Sequence, residues 1–308
     1  MKFHLTALGR ETWNAQALSH WQGLVADDLV GRHLNCDDPS AADRIVFVDL
    51  HQHPDDPFMA KLRAHDLVKA FPAKCLVYDQ RDRPVPTLPG VYVSAKAGRR
   101  HNPRIAGGPY PLLQTDVQPS DLEPDLLWSF AGARTHPVRD IVLSLRDEQS
   151  VVLDTSGLPM FSAELEDQEI VDSARRDYRI LLGRSRFVLC PRGHGPSSFR
   201  LFETLSAGRV PVVISDRWEA PPRINWDICT IRVAERDVAD IPRILAVRAS
   251  EWEQLAESAR AVWANNFAAG HLWDHIAQSM ATLSVRRRVT PWWMDPTAGR
   301  LFAARFRI

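Results

Sequence analysis

Short apolar runs alternate with polar, proline-bearing joins along this chain, and most of the runs are apolar on both faces, as fully buried strands are. Arg44-Ile45-Val46-Phe47-Val48-Asp49-Leu50 predicts such a strand, bounded by the polar stretch at 51–57. Phe58 to Ala70 carries a helical apolar rhythm that ends ahead of Phe71-Pro72. Cys75 to Tyr78 and Gly90 to Ser94 predict two further strands. Strand, helix and strand in that order imply a parallel sheet with helices on its faces. From Lys96 to Pro124 the pattern weakens and Gly and Pro accumulate, which predicts a connection between domains toward its end.

The second half is more regular. Strands are predicted at Leu127–Gly132, Val151–Asp154, Arg186–Cys190, Val210–Ser215 and Cys229–Val233. Helices are predicted at Arg139–Leu145, at Asp172–Leu182 with Gly183 as its C-cap, and at Ser198–Ala207, stopped by Gly208. Two more helices run to about Phe267, and His271 to Val285 forms a terminal one. The expected fold is therefore α/β, with two doubly wound Rossmann-like domains facing a cleft. Their expected bounds are 1–122 and 123–288, with a tail at 289–308 whose Trp292, Trp293, Phe302 and Phe306 pack back on the first domain.

Composition removes several alternatives. Lys and Arg number 38, as do Asp and Glu, and this balance disfavours a nucleic-acid coat or a protein bound broadly to anionic membrane. Cys36, Cys75, Cys190 and Cys229 form no CxxC pair, so core thiols are expected rather than disulfides or a zinc site. Asp37-Asp38 and Asp55-Asp56 read as solvated loop charges, and no metal site is expected. The first residues lack the apolar stretch of a secretion signal, and no segment reaches the roughly 20 apolar residues that span a bilayer. A cytoplasmic protein is expected, with peripheral membrane or protein-complex association left open.

The chemistry concentrates in FVLCPRGHGPSSFRLFETLSAGRVPVVISD at 187–216. A buried strand ends at Pro191, and Gly193 and Gly195 allow the chain to turn. Ser197 or Ser198 then caps a helix whose free amides and positive dipole end suit a phosphate. Ser197, Arg200 and Glu203 are spaced by three and share one helical face. Arg200 offers a planar fork of donors, Arg192 adds another, and Glu203 accepts hydrogen bonds from neighbouring hydroxyls such as those of a ribose. Donors for a diphosphate beside an acceptor for a sugar diol fit a nucleoside diphosphate. A dinucleotide-binding oxidoreductase fits less well, because Gly193-His194-Gly195-Pro196 lacks the third glycine of G-x-G-x-x-G. The bland alternative is that Arg200 and Glu203 form a surface pair, worth a few tenths of a kcal/mol.

The same run resembles the signature of the exostosin family, glycosyltransferase family 47. The resemblance rests on Ser185 to Gly193, Gly195-Pro196-Ser197-Ser198, Arg200-Leu201-Phe202-Glu203, Ala207-Gly208 and Val210 to Asp216. Downstream, Trp226-Asp227, Val233, Glu235-Arg236-Asp237 and Ile241-Pro242 extend it. Weaker echoes lie upstream at Tyr78-Asp79, Gly90 to Ser94, and Phe130-Ala131-Gly132 with Arg139. The resemblance covers about Cys75 to Leu245. It implies a GT-B-like fold and transfer of a sugar from a nucleotide sugar, UDP-linked by family likeness, to a glycan acceptor. It further implies that Glu203 holds the donor ribose and that Arg200, Ser197 and Ser198 meet the diphosphate. Arg192 and Arg139 are further phosphate partners, and Asp216 and Trp218 line the donor pocket. Gly195 stands where retaining enzymes carry an earlier Glu, which implies inversion. Animal and plant members are longer and carry a membrane anchor, so a bacterial-type enzyme of surface polysaccharide synthesis is expected here. A binding subunit without turnover remains the alternative.

An inverting transfer needs a base for the acceptor hydroxyl and donors or charge for the departing diphosphate. Arg192, Arg200 and the amides around Ser197 meet the second need without a metal or other cofactor. Asp49, His51 and His53, beyond the end of a predicted strand, are the candidate bases. His194, in the phosphate loop, could instead contact the donor.

Overall fold

Every strand pairing among the described residues is parallel, and the strands fall into two sheets. The structure is a computed structural model and describes residues 1–8, 12–48, 58–82, 84, 86, 88–98, 102–112, 117, 122–158 and 165–285.

The first unit contains β1 (Lys2–Thr6), α1 (Thr12–Ala26), β2 (Leu34–Asn35), β3 (Arg44–Phe47), α2 (Phe58–Ala64), α3 (Asp66–Ala70), β4 (Cys75–Asp79), β5 (Gly90–Tyr92) and β6 (Ile105–Ala106). Its sheet runs β2-β1-β3-β4-β5-β6. All residues of β4 and β5 are buried, which accounts for their uninterrupted apolar runs. The helix expected over Phe58–Ala70 is two pieces. The His65 side chain accepts from the Leu67 amide and caps α3, which ends the first piece.

The second unit contains β7 (Leu126–Gly132), α4 (Pro137–Ser144), β8 (Ser150–Asp154), α5 (Leu165–Arg184), β9 (Ser185–Pro191), α6 (Phe199–Ser206), β10 (Val210–Ile214), β11 (Ile231–Val233), α7 (Ile241–Val247) and α8 (Trp252–Asn266). Its sheet runs β11-β10-β9-β7-β8. The order in which strands are added therefore reverses between β7 and β9, the switch point of a doubly wound sheet. Trp128, Phe130, Phe187 and Leu189 point to a core shared with Val138, Val142, Leu245 and Leu255 of α4, α7 and α8. Val188 points the other way, toward Leu182 and Tyr178 of α5. The two parallel sheets with their helices give the α/β class that the sequence predicts.

Two local expectations are corrected. Gly183 does not end a helix, because α5 continues to Arg184 and passes directly into β9. Its carbonyl instead accepts from Nε and Nη2 of the buried Arg209, at 3.2 and 2.6 Å. Gly193 and Gly195 do not take left-handed backbone; among the described glycines only Gly31, Gly208 and Gly270 do. Gly208, at φ +67°, stops α6 as its position predicts.

Among the described residues, the first unit comprises those within 1–112, 219–222 and 269–285, and the second those within 113–218 and 223–268. The last described helix, α9 (Leu272–Ala281), therefore belongs with the first unit. Trp273 explains why: its indole donates to the His33 carbonyl at 3.0 Å and its ring meets Phe3 edge-on at 5.3 Å. The aromatic tail at 289–308 lies outside the described residues. No helix among the described residues is long and apolar enough to cross a membrane.

Candidate functional site

The carboxyl ends of β7 and β9 flank the switch point, and the predicted phosphate loop departs from β9 there. Arg139, on α4, reaches across to both ends. Its Nε donates to the Arg192 carbonyl at 2.9 Å, Nη1 to the Ala133 carbonyl at 3.0 Å and Nη2 to the Pro191 carbonyl at 3.2 Å. The side chain is thus a clamp on the main chain of the loop. Gly193 is needed for close approach, because a Cβ there would stand 3.1 Å from Thr135 Oγ1 and 3.4 Å from Arg139 Nη2.

Ser198 is the N-cap residue of α6, yet its hydroxyl makes no capping bond. The hydroxyls of Ser197, Ser198 and Thr135 are all buried without a hydrogen-bond partner. Leaving such groups unpaired costs about 1–3 kcal/mol each, a cost that a ligand's acceptor oxygens remove.

Arg200, on the first turn of α6, is only 6% exposed. Its Nε and Nη1 are buried without partners. The guanidinium lies 5.1 Å from the centre of the Phe130 ring, 5.7 Å from that of Phe199 and 5.9 Å from that of Tyr178. Arg139 meets the same Phe130 ring at 5.9 Å. Gly132 makes room at the end of β7, where a Cβ would stand 3.0 Å from Arg200 Nη2. Aromatic faces attract a cation but do not satisfy its N–H groups, so two donors remain for an anion.

Glu203, one turn further along α6, is half-buried and forms no ion pair with Arg200 among the described contacts. Its Oε2 accepts from the Tyr178 hydroxyl at 2.8 Å, a partner on α5 that no sequence motif announced. Burial raises the Glu203 carboxyl above its ordinary range, while Arg200 and the Tyr178 hydroxyl pull it down. The buried Tyr178 hydroxyl is raised in turn, first by desolvation and then by Glu203. Burial pushes the neighbouring Cys190 thiol up to about 12, so it is a protonated core group.

Around the loop, Asp216 and Glu235 bond reciprocally. The Asp216 amide donates to Glu235 Oε1 at 3.1 Å and the Glu235 amide donates to Asp216 Oδ1 at 2.9 Å. Arg192 Nη1 lies 3.7 Å from Glu235 Oε1, so its charge is shared with a carboxylate. His136 caps α4 through the Val138 amide at 3.3 Å. Burial, and then Arg192, hold its ring below the ordinary histidine range, which keeps it neutral near pH 7.

The structure thus gathers Arg139, Arg192, Ser197, Ser198, Arg200 and Glu203 around the ends of β7 and β9, with Asp216 joined to them through Glu235. Trp218, expected to line the pocket, is 3% exposed, edge-on to Trp226 at 5.0 Å and under Arg232 at 5.6 Å. It belongs to the packing of the second unit. Asp49, His51 and His53 lie outside the described residues. Tyr178, Thr135 and His136 are the additions that sequence reading missed. Among the described residues no group of three or more His, Cys, Asp or Glu side chains could hold a metal ion.

Residues 104–247 match the Exostosin GT47 domain. An Exostosin-1 homolog of Caenorhabditis elegans is 47% identical over 92 residues, covering 29% of this chain and 24% of that protein. Exostosin-1 of Drosophila melanogaster is 34% identical over 104 residues, covering 33% of this chain and 14% of that one. The alignments therefore span a quarter or less of these curated relatives. Among solved structures, a glycosyltransferase from Rickettsia africae covers 93% of this chain and 99% of its own, at 11% identity and a TM-score of 0.44. Anabaena Alr3699/HepE in complex with UDP covers 92% and 100%, at 10% identity and a TM-score of 0.43. The segment that forms the switch-point loop, its arginines and Glu203 lies wholly inside the residues that match the Exostosin GT47 domain.

Proposed function

We propose that this chain is a glycosyltransferase that takes its sugar from a nucleoside diphosphate sugar, UDP-linked, and passes it with inversion to a glycan acceptor in surface polysaccharide synthesis. The observation that carries this reading is Arg200, a buried guanidinium with two unpartnered N–H positions at the switch point, beside three unpartnered hydroxyls. A diphosphate supplies the charge and the acceptor oxygens that this cluster lacks. In this reading Glu203, one turn along the same helix, accepts from the ribose hydroxyls. Arg139 holds the loop in position and Arg192 adds charge at its edge.

In this reading the acceptor hydroxyl attacks the anomeric carbon. The bond from that carbon to the diphosphate oxygen breaks, and its electron pair leaves with the diphosphate. Arg200, the Ser197 and Ser198 hydroxyls and the amides at the start of α6 stabilise the negative charge that builds there. These groups suffice without a metal, so activity should survive a chelator. The hydroxyl proton goes to a base sought among Asp49, His51 and His53. If alanine at each of the three leaves turnover near normal, the base is another residue.

Calorimetric titration with UDP-, GDP- and dTDP-linked sugars tests the donor, and Arg200→Ala should abolish the binding seen. No binding of any of the three removes the proposal. Release of free nucleoside diphosphate in the presence of acceptor separates an enzyme from a non-catalytic donor-binding subunit.

A further inference from the structure

We propose that Tyr178 is a positioning residue for the donor site, holding the Glu203 carboxylate in the orientation that receives the nucleotide's ribose. The proposal rests on the donor-binding reading of Glu203 above.

The geometry is specific. The Tyr178 hydroxyl donates to Glu203 Oε2 at 2.8 Å across a gap of 25 residues in sequence. Its ring packs beside Leu182, Val188 and Ala207, so the hydroxyl is held from behind by core. The Arg200 guanidinium lies 5.9 Å from the ring centre. Tyr178 therefore contacts both Glu203 and Arg200, through the hydroxyl on one and the ring face on the other. A glutamate without such a partner samples several rotamers, and each immobilised side chain costs binding free energy when the ligand orders it. Fixing Oε2 settles that cost in the free protein and leaves Oε1 to accept from the ligand. The same hydrogen bond favours the ionised carboxylate against the desolvation that opposes it.

A merely structural tyrosine predicts something different. Tyr178→Phe keeps the ring, the packing and the contact with Arg200 and removes only the hydroxyl. A structural role would lower thermal stability and leave affinity unchanged in what remains folded. The positioning role predicts a folded protein with UDP affinity about tenfold weaker, on the scale of a hydrogen bond to a charged group. It also predicts that acid weakens UDP binding at a higher pH in Tyr178→Phe than in the parent, because the ionised form has lost a donor.

The test is a double-mutant cycle read by calorimetry with UDP from pH 5 to 8, on the parent, Tyr178→Phe, Glu203→Ala and the double variant. Support is a loss in Tyr178→Phe that disappears in the Glu203→Ala background, together with the displaced acid limb. Equal losses in both backgrounds would show that Tyr178 does not act through Glu203 and would overturn the proposal. So would a Tyr178→Phe protein indistinguishable from the parent. Full UDP affinity in Glu203→Ala would remove the reading of Glu203, and this inference with it. If complete loss in Glu203→Ala leaves no affinity to compare, the acid limb of Tyr178→Phe decides: displaced it supports the proposal, unmoved it refutes it.

Discussion

Arg139 Nε donates to the carbonyl of Arg192 at 2.9 Å, so one arginine's side chain holds the main chain of another. With the bonds to Ala133 and Pro191, a single buried guanidinium ties the end of β7 to the end of β9. The acceptors are neutral carbonyls, which satisfy the N–H groups without cancelling the charge. The site therefore keeps positive potential while staying rigid, a state suited to an anionic ligand.

Replacing Arg139 with Lys should show that the fork, rather than the charge, is what matters. An ammonium does not span three carbonyls in different directions, and the bonds lost sum to about 3 kcal/mol. The second unit's thermal midpoint should fall by roughly 6–12 °C, and donor affinity should fall with it. An unchanged midpoint would mean that the loop holds itself without the clamp.

Arg139 also marks where sequence reading stops. A guanidinium next to a phosphate loop suggests phosphate contact. The clamp has no such signal, because its acceptors are carbonyls 6, 52 and 53 residues away, and any residue type offers a carbonyl. Tyr178 was invisible for a related reason, since its partner is set by how α5 packs on β9. Arg200 and Glu203 were legible because both lie on one helix, where spacing fixes the face. The buried strands were legible because parallel strands are apolar throughout. In contrast, β1 buries only Phe3 and Leu5, and the described part of α1 buries only Ala17 and Trp21. That signal is too sparse to read as elements.

Ligand linkage gives the next prediction. Two buried guanidiniums, those of Arg200 and Arg139, share the Phe130 ring, at 5.1 and 5.9 Å. A diphosphate that enters relieves their repulsion and fills the open donors of Arg200. UDP at about a hundred times its dissociation constant should stabilise the protein by about 2.7 kcal/mol. The midpoint should rise several degrees in thermal shift, and inorganic pyrophosphate should give part of that rise. Uridine without phosphates should give almost none. Equal shifts from uridine and UDP would count against a phosphate cradle.

Glu203→Gln separates function from stability. Burial raises the Glu203 carboxyl above its unfolded value, so the folded state holds that proton more tightly than the unfolded one. Its ionisation then costs stability at all pH above the folded value, and the cost is relieved as pH falls through it toward the unfolded value. Glutamine removes the ionisation. At neutral pH the variant should be as stable as the parent or slightly more so, and the difference should vanish on acidification. UDP affinity should nevertheless fall at least tenfold, because a neutral amide oxygen is the weaker acceptor for ribose hydroxyls. A destabilised variant at pH 7 would show that the carboxylate's attraction to Arg200 outweighs its desolvation.

Gly132 tests the space that lets Arg200 lie where it does. An added Cβ would stand 2.7 Å from Phe130 Cζ and 3.0 Å from Arg200 Nη2, both inside ordinary contact. The backbone there is not left-handed, so strain in φ plays no part. Gly132→Ala must move the Phe130 ring, the guanidinium, or both. Overpacking of this kind costs about 1–3 kcal/mol, and moving the guanidinium by half an ångström or more spoils its hydrogen bonds to a bound diphosphate. The variant should lose both stability and more than tenfold in UDP affinity. Gly157→Ala is the control, because nothing lies within 4 Å of the carbon added there. It should behave as the parent in both measurements. If Gly132→Ala binds UDP as the parent does, the space left by Gly132 is not what holds the Arg200 guanidinium in place for the diphosphate.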